Sequence, residues 1–476
     1  MYQGDRDKDT ICAVSTPHGV GGISVIRISG PDAFLITKKA CSFLPERPES
    51  HRVYFGYLRN TQTGDEIDEV LVTYFQTGRS FTGEEVLEIS CHGSPHICQS
   101  ILQELIGSGA RPADRGEFTY RAFMNGKLDL VQAESVLALI ESQSTQASRL
   151  ALRQLKGSVS EKLEAVEDDM TWILAHAEAS IDFSEQGVEV VDYSVVQVRL
   201  KKVEKILAEL VGTFKVGRLL KDGFRVVLTG LPNVGKSSLL NLFLEDDRAI
   251  VTDIPGTTRD VIHGDTNFEG VKFTFIDTAG LRDSTTDLVE RIGIQKSYEA
   301  QNESDVVFFI YDLEKGLSAE ELTILDSLEP SRTYIIGNKV DRLTKAPSAI
   351  EALDALKNSK FFQKISDKKD FSIRRMFFVS ALDKKARLNV LHSLVKEFAD
   401  LQLENTVLIS NARHFENLTR ALENTIRSQM IVEKGLGSEF LSLELKESLI
   451  AIHETLGKRF DDQIMDRVFK EFCIGK

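Results

Sequence analysis

The stretch GLPNVGKS, Gly230 to Ser237, stands directly after the apolar run FRVVLTG and directly before SLLNLFL. This is the GxxxxGK[ST] phosphate loop in the strand, loop and helix setting that its chemistry requires. Gly230 and Gly235 let backbone N–H groups face a phosphate, Lys236 reaches the β/γ oxygens, and Ser237 ligates Mg²⁺. A segment built around such a loop is committed to an α/β arrangement. The runs VKFTFID, DVVFFIYD, TYIIGNK and MFFVSA supply the further apolar strands, each followed by polar or helical sequence, and together they predict a mainly parallel sheet over 221–399.

The ends of those strands carry the rest of a nucleotide site. DTAG, Asp277 to Gly280, places Asp277 in the magnesium shell and the backbone of Gly280 against a γ-phosphate. NKVD, Asn338 to Asp341, selects the base, because the two acceptors of the Asp341 carboxylate match the adjacent N–H donors of guanine, a pair adenine lacks on that edge. Ser380 and Ala381, after MFFVS, fall where GTPases place the loop that backs the base. The residues assigned to GTP are Asn233, Val234, Gly235, Lys236, Ser237 and Ser238; Thr252, Asp253, Ile254, Pro255, Gly256, Thr257 and Thr258; Asp277, Thr278, Ala279 and Gly280; Asn338, Lys339 and Asp341; and Ser380, Ala381 and Leu382.

Two details depart from the Ras pattern. Leu281 follows DTAG where a water-orienting Gln is usual, so another group must position the water. The loop TDIPGTTRD, Thr252 to Asp260, offers backbone carbonyls and adjacent threonines beside Asn233. It reads either as a surface loop or as a cradle for a monovalent cation that neutralises developing charge as an arginine finger does.

Outside this segment the pattern changes twice. Residues 1–122 hold β-rich runs, GISVIRIS, RVYFGYL, EVLVTYF and EVLEIS, with ICQSILQELI as a helix among them, which predicts an α+β domain. From 123 to 220 the pattern is helical: Val159, Leu163, Val166, Met170, Leu174, Ala177 and Ile181 recur every three or four residues. Helical periodicity returns over 400–476, with Asn411 and Ser438 as expected N-caps. The economical arrangement is one helical domain built from 123–220 and 400–476, with 221–399 inserted into it.

Composition narrows the function classes. No run of about 18 uncharged apolar residues is present, and MYQGDRDKDT lacks a signal-peptide core, so the expected compartment is the cytoplasm with no membrane involvement. Five scattered cysteines, with no CxxC pair, suit free thiols in a reducing compartment. Cys91, His92, His96 and Cys98 fit no common zinc spacing. The net charge of -14 argues against an RNA binder working through its own basic surface. The terminal EFCIGK has a Cys fourth from the end, but one Ile, a Gly and a Lys do not make a prenylation box.

GLPNVGKSSLLN, TDIPGTTRD, DTAGLR with VERIGI, and the terminal FCIGK together resemble the tRNA-modification GTPase MnmE (TrmE) family over the full length. DTICAVSTPHGVGGISVIRISG, SFTGEEVLEISCHG and RGEFTYRAFMNGKLDLVQAE resemble that family's first domain. The resemblance implies a multidomain α+β and α/β chain: an N-terminal α+β folate-binding and dimerisation domain (1–122), a discontinuous helical domain (123–220 and 400–476) and an inserted Ras-like G domain (221–399). It implies a homodimer whose G domains pair in K⁺. Asn233, Thr252, Ile254 and Thr257 would hold K⁺, Ser237 and Thr258 Mg²⁺, and Glu290 would orient the attacking water. Arg27, Glu88, Lys127 and Lys476 would contact a 5,10-methylene- or 5-formyl-tetrahydrofolate. Cys473, near that one-carbon unit, is a candidate nucleophile or acid/base group, with a packed structural thiol as its alternative.

The family works with an FAD-binding partner, MnmG (GidA), on carbon 5 of the wobble uridine of certain tRNAs. On that division of labour the partner carries most of the tRNA affinity. Two rivals remain open on sequence: a ribosome-assembly GTPase, and a folate-dependent enzyme whose G domain only regulates.

Overall fold

The computed structural model describes residues 9–182, 193–244, 262–277, 303–342, 375–399, 406–459 and 462–476. The N-terminal segment forms β1 (Ile11–Val14), β2 (Ile23–Ser29), α1 (Ala33–Ala40), β3 (Arg52–Arg59), β4 (Glu66–Phe75), β5 (Val86–His92), α2 (Pro95–Gly107), β6 (Arg111–Pro112), α3 (Glu117–Met124) and α4 (Leu130–Glu141). Its six-stranded sheet has the order β3-β4-β5-β2-β1-β6. Only the short β6 pairs parallel; the other contacts are antiparallel.

Period-2 alternation gives this sheet two unlike faces. Ile26, Ile28, Val72, Leu87 and Ile89 point to one face and share a core with Ile36 of α1 and Ile101 and Leu105 of α2. The opposite face carries Arg27, Glu88 and Thr73 in register with Val53, and Leu71 in register with Phe55. There Val53, Phe55 and Leu71 are 54%, 63% and 46% exposed, an apolar surface on an edge strand and its neighbour.

The chain continues through α5 (Thr145–Leu155), α6 (Ser158–Asp182), α7 (Tyr193–Gly212) and α8 (Phe214–Asp222), then β7 (Phe224–Thr229), α9 (Lys236–Leu244), β8 (Ile262–Phe268), β9 (Val271–Asp277) and β10 (Val306–Asp312). There follow α10 (Ala319–Ser327), β11 (Thr333–Asn338), β12 (Met376–Phe378), α11 (Lys384–Ala399), α12 (Ala412–Glu433), α13 (Ser438–Leu456) and α14 (Asp462–Lys470). Two compact units result. One comprises Met1–Glu141, Ala151–Gly212 and Ala412–Lys476, the other Ser142–Leu150 and Thr213–Asn411.

The second unit holds a sheet of order β12-β11-β10-β7-β9-β8, parallel except for the β8–β9 pair. Every residue of β10 is buried, as a central parallel strand covered on both faces demands. Phe308 and Ile310 join Leu239 and Phe243 of α9 and Val390 and Leu394 of α11, while Val307 and Phe309 pack with Leu325 of α10.

In the first unit α6, α7, α12 and α13 form a bundle, so helices from either side of the inserted segment share one core. The apolar stripe of α6 is buried at Val159, Leu163, Val166, Met170 and Ala177 as the spacing predicts, whereas Leu174 and Ile181 are only half-buried and Ile173 takes a buried place in the stripe. One expectation fails: Ser438 is the first residue of α13, not its cap. Gly437 holds the cap position with no side-chain bond, and the Ser438 hydroxyl instead pairs with the Tyr193 hydroxyl at 3.1 Å.

A buried ion cluster ties α12 to α4. Arg413 grips Glu134 with Nε and Nη2, each at 3.0 Å, and His414 Nε2 lies 2.6 Å from the same carboxylate. Burial alone would raise the Glu134 pKa; the His414 and Arg413 charges outweigh it and pull the value down to about 2.

Candidate functional site

Strand β7 delivers the chain into the phosphate loop, and α9 begins at Lys236. Lys236, Ser237 and Ser238 thus lie in a first helical turn, where N–H groups have no intrahelical acceptor and favour an anion. Gly235 has φ +98°, and a Cβ there would meet the Asn338 amide at 2.2 Å, so only glycine fits. Lys236 is buried and its Nζ donates to the carbonyls of Gly230 at 3.1 Å and Leu231 at 2.9 Å. Its ammonium is already folded over the loop. Ser237 Oγ donates to Asp277 Oδ2 at 2.9 Å, which brings together a hydroxyl and a carboxylate, hard oxygen donors suited to Mg²⁺.

The base-selecting motif meets the phosphate loop directly. Asn338 Nδ2 donates to the Val234 carbonyl at 2.9 Å, and Lys339 Nζ donates to the Asn233 carbonyl at 2.8 Å. Lys339 also pairs with Asp312 Oδ2 at 2.7 Å. Asp341 lies in the single turn Val340–Arg342, where a hydrogen bond with Ser380 is the chief cause holding its carboxyl below the usual range. It is therefore an anion throughout the neutral range, ready to accept. Ser380 Oγ in turn accepts from the Leu382 amide at 3.2 Å, Ala381 packs against the core, and Leu382 is exposed. The structure brings Asn233, Val234, Gly235, Lys236, Ser237, Asp277, Asn338 and Lys339 into one connected set. Thr252, Asp253, Ile254, Pro255, Gly256, Thr257, Thr258, Thr278, Ala279, Gly280 and Glu290 lie outside the described residues.

The second cluster sits in the first unit. Arg27 and Glu88 are register partners on β2 and β5, and they bond to each other: Nε and Nη2 both reach Glu88 Oε1, at 3.0 and 2.7 Å. The Arg27 guanidinium lies 5.5 Å from the Phe81 ring and 5.6 Å from the Phe118 ring. Because both contacts use Oε1, the other Glu88 oxygen is available to N–H donors of a pterin. Lys127 Nζ donates to the Gly78 carbonyl at 3.1 Å, on the loop that carries Phe81. Arg27, Glu88 and Lys127 thus offer a guanidinium, a carboxylate oxygen and an ammonium, groups able to pair with the N–H donors and the acidic tail of a folate.

The C-terminus returns to this cluster. Phe469 and Phe472 are buried with Tyr120, Leu130 and Met465, and fix the last helix in the first unit. Beyond them the tail is held by its backbone: the amides of Gly116 and Phe118 donate to the Cys473 and Lys476 carbonyls at 3.4 and 3.2 Å, and Ser15 Oγ donates to the Gly475 carbonyl at 3.0 Å. Gly475 has φ +91°, and a Cβ there would press on the Val14 carbonyl at 2.2 Å. Phe118 thus touches both Arg27 and the terminal residue. Cys473 is exposed, whereas Cys12, Cys41, Cys91 and Cys98 are buried. Cys91 Sγ donates to the Ser24 carbonyl, and His92 Nδ1 pairs with Asp68 Oδ1 at 2.7 Å.

Sequence reasoning passed over Ser15, Phe81, Phe118 and Asp312. Only Asp312 left a local signal, an acidic residue closing a wholly apolar strand.

Comparison with known proteins places the whole chain. The family model "MnmE helical domain" matches residues 130–473, and "GTP-binding protein TrmE N-terminus" matches residues 10–127. The tRNA modification GTPase MnmE of Bdellovibrio bacteriovorus is 78% identical over 476 residues, covering 100% of this chain and 99% of that one. The chain belongs to the MnmE family of tRNA modification GTPases. MnmE proteins of Desulforamulus reducens and Salinibacter ruber are 36% and 37% identical, each over 98% of this chain and 99% of their own. The N-terminal and helical parts are both present, and the α/β sheet of the second unit falls within the range that the helical-domain match spans. No helix among the described residues is long and apolar enough to cross a membrane.

Proposed function

We propose that this MnmE-family chain is a K⁺-stimulated, Mg²⁺-dependent GTPase of the cytoplasm whose hydrolysis cycle drives modification of tRNA wobble uridines at carbon 5. It acts as a homodimer with an FAD-binding MnmG partner, which carries most of the tRNA affinity, and installs an aminomethyl-type group from a tetrahydrofolate one-carbon donor. The observation that carries this reading is the docked tail. The exposed Cys473 is anchored, through Gly116, Phe118 and Ser15, on the domain that bears Arg27 and Glu88.

On this reading Lys236 exchanges the Gly230 and Leu231 carbonyls for β/γ oxygens, and backbone amides of Asn233 to Ser238 cradle the phosphates. Ser237 and Thr258, with Asp277, would hold Mg²⁺, which would supply neutralising charge for the phosphates. Asn233, Thr252, Ile254 and Thr257 hold K⁺, and Glu290 orients the water that Leu281 cannot. Asn338, Lys339 and Asp341 select guanine, backed by Ser380, Ala381 and Leu382. In the first unit Glu88 accepts from the pterin, and Arg27, Lys127 and Lys476 face the ligand's acidic tail. Cys473 serves as nucleophile or acid/base group. The exposed Val53, Phe55 and Leu71 support the homodimer, since an apolar face on an edge strand favours a second copy.

Hydrolysis measured in K⁺ and in Na⁺ at equal ionic strength tests the cation assignment. The expected result is a rate at least about tenfold higher in K⁺, because a cation at the phosphates does the work of an arginine finger; equal rates would refute it. A Cys473→Ser chain with undiminished modification activity would remove the thiol's chemical role.

A further inference from the structure

The buried strand β10 ends in Asp312, which belongs to none of the GTP-binding motifs. Its side chain is 5% exposed, and its two oxygens have different tasks. Oδ1 accepts from the Glu314 amide at 3.1 Å, closing the turn that follows the strand. Oδ2 accepts from Lys339 Nζ at 2.7 Å, and that same ammonium donates to the Asn233 carbonyl at 2.8 Å. The register of β10 against β11 sets Asp312 opposite Asn338, one residue before this lysine.

The two residues spanned by the ammonium are conformationally unusual. Asn233 has φ +64° and Lys339 φ +67°, left-handed backbone that residues other than glycine adopt at a cost. Such geometry persists only where the surroundings over-determine it. Here a charge-assisted bond from a buried carboxylate fixes the lysine, and the lysine fixes the phosphate loop.

We propose that Asp312 is a positioning residue for guanine nucleotides: it holds the Lys339 ammonium, and through it the Asn233 turn, so that the base-selecting loop and the phosphate loop are registered before nucleotide arrives. The inference rests on reading Asn338 to Asp341 as the base site. Lysine is a flexible four-carbon stem whose ordering opposes binding; anchoring it in advance removes that cost from the binding step. The carboxylate also neutralises an ammonium that would otherwise turn toward water.

The test uses the full chain and a fluorescent N-methylanthraniloyl GDP. Asp312→Asn keeps the shape and the acceptor for Glu314 but loses the charge. Nucleotide release is expected to quicken by roughly tenfold or more, the usual range for a hydrogen bond to a charged group, and KM for GTP to rise by a larger factor than kcat falls. Asp312→Glu, which keeps the charge, should release nucleotide more slowly than Asp312→Asn. In a Lys339→Met background Asp312→Asn should add nothing, since the carboxylate acts only through the ammonium. Release unchanged by Asp312→Asn, or an undiminished effect in the Lys339→Met background, overturns the proposal. If the base-site reading itself failed, Lys339→Met would leave release unchanged as well; a response to Lys339→Met alone overturns only the role of Asp312.

Discussion

Replacing Asp341 with Asn converts this chain from a GTPase into a hydrolase that prefers xanthosine triphosphate. Guanine presents two adjacent donors to the Asp341 carboxylate, a ring N–H and an exocyclic amine. An Asn amide offers one acceptor and one donor, so one of its contacts with guanine becomes donor against donor. Xanthine carries a carbonyl in place of the amine and matches the amide atom for atom. Polar sites that leave a group unpaired discriminate by roughly 10⁴, so the GTP/XTP preference in kcat/KM should swing by at least about 10³. The variant's turn is expected to survive, because the Val340 amide bonds the Val379 carbonyl and the Arg342 amide the Lys339 carbonyl independently of the side chain. Competition between the two triphosphates measures it. Equal loss toward both would mean that Asp341 supports the fold and does not read the base.

The second large effect lies in the first unit. Glu134→Ala removes the carboxylate that Arg413 and His414 share, and leaves the guanidinium and imidazole without that counter-charge in a largely buried site. Removing one partner of a buried pair costs about 3–5 kcal/mol, so chemical denaturation should show a loss of that size. The sign with pH follows from the depressed Glu134 value. A carboxyl whose pKa falls from 4.5 to about 2 on folding stabilises fully above pH 4.5, and that contribution fades as pH drops toward 2. The stability gap between the natural chain and Glu134→Ala should therefore be widest above pH 4.5 and narrow below it. A gap that stays constant from neutral pH to pH 3 would show that ionised Glu134 is not the source. Arg413 also donates to the Glu454 carbonyl at 2.6 Å, so it is a node between α4, α12 and α13.

What was legible in the sequence was what chemistry ties to fixed local spacing. The phosphate loop needs its two glycines and its lysine in one turn, so GLPNVGKS announced strand, loop and helix together. The buried strand β10 was equally plain, because no residue between Val306 and Tyr311 is polar. Strand β8 was not: IHGDTNF is largely polar, as an antiparallel edge strand tolerates, and among the described residues its one sheet partner is β9. In the sequence Arg27 and Glu88 stand as two separate ligand contacts, because the two residues are 61 apart and only sheet register unites them. Asp312 and Ser15 were overlooked for the same reason: their partners, Lys339 and Gly475, lie 27 and 460 residues away. The terminal FCIGK pointed to its family, but only the folded chain puts its backbone on Gly116 and Phe118. Of the two rival functions, the ribosome-assembly GTPase is set aside by the full-length MnmE match.

If the GTP cycle of this chain supports chemistry on a tRNA base, mass spectrometry of the wobble-uridine nucleosides in tRNA from cells with and without this chain will register it. Nucleosides bearing the aminomethyl-type group at carbon 5 are expected to vanish when the chain is absent and to return with it; an unchanged nucleoside profile would refute the proposed function.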